Sequence, residues 1–239
     1  APSSTAIDLG TGRTAVAVSA GDYHTCVILD NGDLKCWGMD SSGALGDGLP
    51  VGVHTDAPSS TAVDLGTGRT AVAMAGGTYH TCAILDNGDL KCWGSDYYGQ
   101  LGDGGTRSNT NAPSSTAIDL GTGRTAVAIS AGGAYTCAIL DNGDMKCWGN
   151  DAKGQLGNGG TITGLQLSPV AVSGSDTWDS STGASSGSGS GSGSGSSSSS
   201  SSAYANNKVS AGEHHTCAIL DNGDLKCWGF DQYGQLGDG

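Results

Sequence analysis

The chain has 239 residues, of which 43 are glycine, one is phenylalanine and only 14% are charged. Glycine at this density interrupts most stretches that could form helices, so the composition predicts almost no helix. The formal net charge of -13 predicts repulsion from phosphate backbones and anionic bilayers, and no apolar run is long enough to span a bilayer, so we expect neither nucleic-acid binding nor membrane insertion.

The chain consists of repeating units with four short strand candidates each. In the second unit these are a Ser-Thr-Ala-Val-Asp-Leu segment, an Ala-Val-Ala-Met segment after Gly-Thr-Gly-Arg-Thr, and the two arms of a hairpin before a glycine-rich return. Four strands separated by turn residues are the content of one blade of a β-propeller. Corresponding cysteines lie 56, 55 and 80 residues apart, so the last interval contains extra residues.

The hairpin is the most regular part of each unit. Its two apolar runs flank Asp-Asn-Gly, a sequence typical of a hairpin turn. A two-residue turn would place Val27 opposite Cys36, whereas a three-residue loop over residues 30–32 places Cys26 opposite Cys36. Directly opposed cysteines are within reach of each other. The sequence therefore predicts one cross-strand disulfide per hairpin. The hairpins span 24–38, 80–94, 136–149 and 215–229.

The predicted register separates the side chains of the first hairpin onto two faces. A lone hairpin is marginally stable in water, and one with two apolar faces must pack between neighbours, as in stacked or radially arranged blades. One face carries Cys26, Ile28, Leu34 and Cys36, and the other carries Thr25, Val27, Leu29, Lys35 and Trp37.

All eight cysteines follow the same spacing of ten residues. Paired cysteines without CxxC motifs predict disulfides and an oxidising compartment. The alternative is zinc, with His24, Cys26 and Cys36 as three ligands, but the third unit has Tyr135 in the histidine position and keeps both cysteines. We therefore expect disulfides, and neither a metal nor a cofactor. The predicted pairs are Cys26–Cys36, Cys82–Cys92, Cys137–Cys147 and Cys217–Cys227.

The extra residues of the last interval are almost purely serine and glycine. Such a tract buries too little surface to offset the entropy of ordering it, so we interpret residues 173–207 as a flexible loop or linker. Trp178 is its one bulky residue, which either docks locally or stays free. Three repeats then occupy residues 1–172, and a fourth, partial repeat occupies 208–239. The two termini are in phase, which fits either a closed ring or a segment of a longer array.

The repeated motifs Gly-x-x-His-Thr-Cys, Asp-Asn-Gly-Asp-Leu-Lys-Cys-Trp-Gly and Gly-Gln-Leu-Gly-Asp-Gly resemble the repeat of the regulator of chromosome condensation (RCC1) family, in a cysteine-paired variant typical of secreted proteins. The resemblance implies RCC1-like β-propeller blades, here four repeats of about 55 residues. Four repeats are fewer than the family's usual ring contains, so we expect part of a larger ring or array. The founding member's nucleotide exchange and nucleosome binding are not carried over, because this chain is acidic and cystine-rich.

The repeated tryptophans and histidines are the main candidate site residues. The tryptophans are expected in a structural core between blades, although aromatic residues could also form a sugar-stacking surface. The histidines could be ligands or general bases, but we expect structural hydrogen bonds within each blade. These residues are Trp37, Trp93, Trp148 and Trp228, and His24, His80 and His215.

Two sets of aspartates are interpreted as turn formers. The Asp-Asn-Gly-Asp loops lack the alternating carboxylates and the closing acid of a calcium loop. A second set precedes the glycine-rich return and is expected to accept hydrogen bonds from loop amides. This second set is Asp40, Asp96, Asp151 and Asp231.

No nucleophile–base arrangement or phosphate-binding loop stands out, so we predict no catalytic residue. The expected function is that of a non-enzymatic extracellular or cell-surface scaffold, part of a larger surface assembly or filament, which binds proteins or further copies of itself. One alternative is a carbohydrate-binding propeller lectin. Another is a regulator of the guanine-nucleotide-exchange type.

Overall fold

The computed structural model describes residues 6–105, 107–160, 164–174, 176–178, 209–222, 224–230 and 236. These residues form thirteen β-strands and no helix, as expected from the composition. Within this part of the chain, no helix has the length and apolarity needed to cross a membrane.

The strands form four antiparallel sheets, one for each repeat, and we call each sheet a blade. The first strand of each blade pairs with the second, and the second pairs with the third. The first blade contains β1 (Ala15–Ala20), β2 (His24–Leu29) and β3 (Leu34–Gly38). The second contains β4 (Ala71–Gly76), β5 (His80–Leu85) and β6 (Leu90–Gly94). The third contains β7 (Ala126–Ala131), β8 (Tyr135–Leu140), β9 (Met145–Asn150) and β10 (Leu165–Ala171). The fourth contains β11 (Val209–Ala211), β12 (His215–Ile219) and β13 (Leu225–Gly229).

The hairpin loop has the three-residue form expected from the cysteine spacing. Cys26 pairs with Cys36, and Ile28 pairs with Leu34. Gly32 closes the loop with φ of 82°, in the left-handed region that favours glycine, and its N–H donates to the Leu29 carbonyl over 2.8 Å. The other three hairpins have the same register, and all four predicted disulfides are present within their blades.

The segment that follows each of the first three hairpins in the chain, introduced above as the Ser-Thr-Ala-Val-Asp-Leu strand candidate, pairs with the third strand of the preceding blade. Among the described residues it is a regular strand only in the third blade, where β10 pairs with β9. In the first blade, the corresponding segment contacts β3 at two separate places. Thr55 forms a bridge with Gly38, and the Val63 N–H donates to the Leu34 carbonyl. Eight residue steps separate Thr55 from Val63, against four between their partners, so the segment bulges away from β3. The expectation of four full strands per blade is therefore wrong for the first and second blades.

Successive blades pack face to face and bury the two faces expected from the sequence. We call the side that carries the cysteines the disulfide face and the opposite side the tryptophan face. Cys26, Ile28 and Leu34 on the disulfide face of the first blade contact Ala83 and Trp93 on the tryptophan face of the second. The same pairing recurs between the second and third blades and between the third and fourth. The core is therefore a series of similar interfaces between blades.

Part of the segment predicted as a linker belongs to the fourth blade. Trp178 is only 4% exposed, forms a bridge with Leu220, and its ring centre lies 5.4 Å from that of Trp228. The Trp178 N–H also donates to the Gly143 carbonyl, as the Ala126 N–H does to Gly88. Trp178 therefore takes, in the fourth blade, the position that Ala126 holds at the start of β7. Residues 179–208, which include most of the predicted linker, lie outside the described residues.

Candidate interaction surfaces

The repeated tryptophans join neighbouring blades. Trp93 and Trp148 are fully buried, and their Nε1–H groups donate to backbone carbonyls of the preceding blade, Ala44 over 3.0 Å and Gln100 over 2.9 Å. Trp228 makes the same bond and is partly exposed, and Trp37 lies half-buried on the outward face of the first blade. Because Trp93 and Trp148 have no exposed ring face, they cannot form the sugar-stacking surface considered from the sequence.

The histidines that begin β2 and β5 also bond across the blade interface. Nε2 of His24 lies 2.8 Å from Oγ1 of Thr81, whose hydroxyl donates to the Ala44 carbonyl. The same carbonyl accepts the Trp93 indole. Because Thr81 donates its hydroxyl proton to the Ala44 carbonyl, the Nε2–H of His24 must be the donor to the Thr81 oxygen. The expectation of a hydrogen bond within one blade is therefore wrong for His24, as it is for His80, whose partner is Thr136 at 2.9 Å.

Burial keeps these two histidines neutral. It lowers the pKa of His24 to about 4, and it lowers that of His80 to about 3. A ring that is enclosed between blades and uncharged near pH 7 has no access to a substrate. His24 and His80 are thus structural groups.

The third and fourth blades show how the histidine position varies. Tyr135 replaces the histidine in the third blade, and its hydroxyl donates to the His215 carbonyl and lies 2.9 Å from Oγ1 of Thr216. Thr216 in turn donates to the Gln155 carbonyl over 2.9 Å. The longer side chain of Tyr135 therefore reaches the threonine at the equivalent position of the next blade. His215 is partly exposed in the last described blade.

Three aspartates hold the loops that follow β3, β6 and β9. Oδ1 of Asp40 accepts the Leu45 N–H over 3.1 Å, and Asp96 and Asp151 make the equivalent bonds to Leu101 and Leu156. All three are buried, and burial raises the pKa of Asp40 and raises that of Asp96 to about 6. Asp231, the fourth member of the set, lies outside the described residues.

The side chains proposed as alternative zinc ligands are committed to other bonds. Cys26 and Cys36 form a disulfide, and His24 bonds to Thr81. Among the described residues, no group of three His, Cys, Asp or Glu side chains is arranged to hold a metal ion.

Among the described residues, the tryptophan face of the first blade has no neighbouring blade, and it exposes Val18 and part of Trp37, while Val27 and Leu29 on the same face are buried. Val18 is 70% exposed and Ile7 is 57% exposed, whereas the residues at the same positions of the second repeat, Met74 and Val63, are below 10%. We call this surface, defined by Ile7, Val18 and Trp37, the leading face. It is one half of the interface that recurs inside the molecule.

The disulfide face of the fourth blade is the other half of that interface. Leu225 is 65% exposed, whereas its equivalents Leu34 and Leu90 are fully buried against the next blade. Ile219 and Cys227, on the same face, are partly exposed. We call this surface the trailing face.

A third surface lies at the end of the blades opposite the Asp-Asn-Gly hairpins. We call it the loop face; it consists of the loops before β2, β5, β8 and β12 and after β3, β6 and β9. Four exposed tyrosines cluster there: Tyr23 stacks on Tyr79 with ring centres 5.2 Å apart, and Tyr97 meets Tyr98 edge to face at 4.9 Å. These tyrosines are not among the site residues predicted from the sequence. They occupy positions at which the repeats differ from one another, and that difference is visible in the sequence.

Four sheets joined by one repeated interface define a β-propeller architecture built from disulfide-bonded blades. Family models agree with this at the level of sequence. The regulator of chromosome condensation (RCC1) repeat matches residues 15–44, 71–100, 126–155 and 207–235, and a second model of the same repeat matches residues 87–139. The chain belongs to the RCC1 repeat family.

Characterised relatives include a receptor and a ligase. The chain is 27% identical to the ultraviolet-B receptor UVR8 of Arabidopsis thaliana over all 239 residues, which cover 46% of that protein. It is 30% identical over 146 residues, 61% of the chain, to the human E3 ubiquitin-protein ligase HERC2, of which this covers 3%. The chain thus spans less than half the length of these relatives.

Solved structures agree with the fold. Human WBSCR16 superposes with a TM-score of 0.70 at 21% identity, over 93% of this chain and 49% of that one. Yeast RCC1 (Prp20), crystallised with Kap60, superposes with a TM-score of 0.69 at 18% identity, over 98% and 47%. At these identities the likeness establishes the fold alone.

Proposed function

We propose that this chain is a non-enzymatic, extracellular protein-interaction scaffold whose end faces bind further blades of the same kind. Those blades belong either to another copy of the chain or to a longer polypeptide. The leading and trailing faces carry this proposal, because each is one half of an apolar interface that is buried three times within the chain.

The disulfides support the extracellular part of the proposal. All described cysteines are paired, and each bridge lies within one hairpin. Disulfides in every repeat of a protein form and persist in oxidising compartments and are rare in the cytosol.

The non-enzymatic part rests on the use of the candidate catalytic groups. His24 and His80 are buried and bonded between blades, and Asp40, Asp96 and Asp151 hold loop amides. Nucleotide exchange is not proposed, because the likeness to yeast RCC1 shows only the fold.

The end faces can be tested with two variants of the 239-residue chain. Val18→Asp places a charge on the leading face and leaves the trailing face intact, and Leu225→Asp does the reverse. We expect the parent chain to form concentration-dependent oligomers by light scattering, because exposed apolar faces of complementary shape associate. Each variant alone is expected to stay monomeric.

The informative sample is the mixture. One variant still has a working trailing face and the other a working leading face, so an equimolar mixture should form a dimer that cannot grow further. A matched control, Val53→Asp, places the same charge on an exposed valine outside both end faces and should oligomerise like the parent. A parent chain that stays monomeric at all concentrations, or a mixture that does not pair, would contradict the proposal.

A further inference from the structure

The positions at which the four repeats differ are concentrated on the loop face. The Asp-Asn-Gly-Asp loop is identical in all four units, and the hairpin arms are nearly so. At the opposite end, the two residues after the first glycine of each inter-strand loop are Asp-Tyr, Thr-Tyr, Gly-Ala and Glu-His in successive units. The loops after β3 and β6 differ as well, with Ser41-Ser42 in one and Tyr97-Tyr98 in the other. Identical residues build the blades, and the varied ones therefore give the loop face a composition of its own.

Aromatic rings dominate this varied surface. Tyr23, Tyr79, Tyr97 and Tyr98 are between 37% and 66% exposed. Tyr79 and Tyr98 line a groove of about 240 Å³, to which Ser95 and Asn150 contribute a hydroxyl and an amide. Tyrosine is enriched in protein interfaces, because its ring supplies contact area and its hydroxyl a hydrogen bond. Clustered tyrosines beside a groove mark a docking surface.

Two carboxylates stand beside the groove. Asp22 and Glu213 line a second cavity of about 170 Å³, formed where the ends of the four inner strands converge and floored by glycine backbone. Thr78 and Glu213 contribute to both cavities, so the two are continuous. Oδ2 of Asp22 accepts the Thr78 hydroxyl over 2.8 Å, and Glu213 lies 3.7 Å from Nε2 of His214. Both carboxylates are exposed.

The same face already holds one cation against an aromatic ring. Nζ of Lys153 lies 5.3 Å from the centre of the Phe230 ring, within the distance at which ammonium groups and aromatic faces attract. The contact shows that side chains of this surface can be arranged to accept a positive charge.

We propose that the loop face binds a lysine- and arginine-rich segment of a partner polypeptide. A basic side chain enters the cavity of about 170 Å³ beside Asp22 and Glu213. Neighbouring basic side chains lie over the rings of Tyr79 and Tyr98. The chain's net charge of -13 increases the local concentration of such a segment. A neutral glycan would also stack on the tyrosines and donate hydroxyl hydrogen bonds to the carboxylates, but it would gain no charge attraction from this acidic surface. The proposal rests on the function proposed above, since it names a partner for the scaffold.

The test is fluorescence anisotropy with a fluorescein-labelled Arg-Lys-Gly repeat peptide at physiological ionic strength. Val18→Asp serves as the background, so that association through the end faces does not interfere. Asp22→Asn with Glu213→Gln should weaken binding by about tenfold or more, because it removes both carboxylates of the cavity. Tyr79→Ala with Tyr98→Ala should weaken it by about fivefold.

The matched control removes two charges from the opposite end of the blades. Asp144→Asn with Asp224→Asn changes two exposed hairpin aspartates and keeps the side-chain oxygens that the Asn142 and Asn222 amides use. It should change affinity by less than about threefold, since distant exposed charges are screened. Thermal unfolding of each variant verifies that the blades remain folded.

Equal losses from the two charge-removing pairs would overturn the proposal, because attraction would then be a property of the acidic chain as a whole. Saturable sugar binding on a glycan array, lost in the tyrosine pair and unaccompanied by peptide binding, would also overturn it and assign the groove to carbohydrate. Neither result affects the expected pairing of the Val18→Asp and Leu225→Asp chains. Failure of this inference is therefore distinguishable from failure of the proposed function.

Discussion

At the scale of single residues, each blade interface contains one small polar network inside an apolar surround. In the first interface, Thr81 accepts from His24 and donates to the Ala44 carbonyl, which also accepts the Trp93 indole. Every member except Nδ1 of the histidine has a partner. Satisfied polar groups in an interface fix one arrangement, because a shifted blade would leave several of them unpaired.

Neutral buried histidines make the stability of the protein depend on pH. The pKa of His80 is about 3 in the folded chain and about 6.5 in the unfolded one. Between these values the unfolded chain takes up a proton and the folded chain does not, so the free energy of unfolding falls as the pH decreases from 6.5 toward 3. His24 acts in the same direction between 6.5 and about 4.

His80→Tyr tests this dependence with a side chain that the third blade already uses at the same position. The variant should fold, since Tyr135 occupies the equivalent site, and should lose less stability on acidification. Between pH 7 and 4.5 the difference from the parent should be about 2 kcal/mol. Urea unfolding at both pH values measures it. An unchanged pH dependence would show that His80 is not kept neutral by burial.

Asp96 is expected to act in the opposite direction. The pKa of Asp96 is raised to about 6 by burial, so its contribution to stability is present below pH 3.8 and is lost as the pH rises through 6. Asp96→Asn keeps an oxygen for the Leu101 N–H and removes the charge. It should be at least as stable as the parent at pH 7.

Asp96→Ala is the matched comparison. It leaves the Leu101 amide without its acceptor and should lower the free energy of unfolding by about 1–3 kcal/mol. Thermal or urea unfolding of both variants at pH 7 and pH 4 provides the data. A destabilised asparagine variant, or equal effects of the two substitutions, would contradict the hydrogen-bond role.

At the scale of elements, the hairpin is the unit that repeats with least change. Its loop requires glycine at position 32 for two reasons. The φ of Gly32 is positive, and a Cβ at this position would lie 2.5 Å from the Thr70 side chain of the next blade. Gly88 has the same two constraints, with Thr125 as the neighbour. The loop therefore closes the hairpin and also contacts the following blade.

The disulfides should stabilise interior and terminal blades by different amounts. Cys82→Ala with Cys92→Ala opens a loop whose closure contributes about 2–3 kcal/mol, and it also removes buried contacts from an interface. Cys217→Ala with Cys227→Ala opens a loop of the same length on the partly exposed trailing face. Urea midpoints should fall further for the interior pair. Equal shifts would mean that packing against the next blade adds nothing.

At the scale of the whole molecule, the blades of the propeller are joined by interfaces that repeat from one pair of blades to the next. The exposed leading face corresponds to one side of that interface and the exposed trailing face to the other. The net charge of -13 opposes indiscriminate association, so specific contact between the end faces must overcome repulsion between copies. Association through these faces should therefore strengthen as salt is added, which light scattering across a salt series can measure.

The sequence by itself determined the elements and their chemistry. Hairpin register follows from the ten-residue cysteine spacing, because only one loop length places Cys26 opposite Cys36. The all-β class follows from the repeated strand candidates and from the glycine density that excludes helices, and the two buried faces follow from the period of two along each strand. Each of these predictions is supported several times over, because the same hairpin and cysteine pattern recurs in every unit.

Tertiary structure alone decided which residues meet across blades. The partner of His24 is Thr81, 57 residues away, and no local pattern specifies that pair. Trp178 belongs to the fourth blade rather than to the linker because it fills a position against Trp228 that its own neighbourhood does not reveal. Contacts between distant segments depend on how blades stack, and stacking depends on the shapes of complete faces rather than on any one stretch of chain.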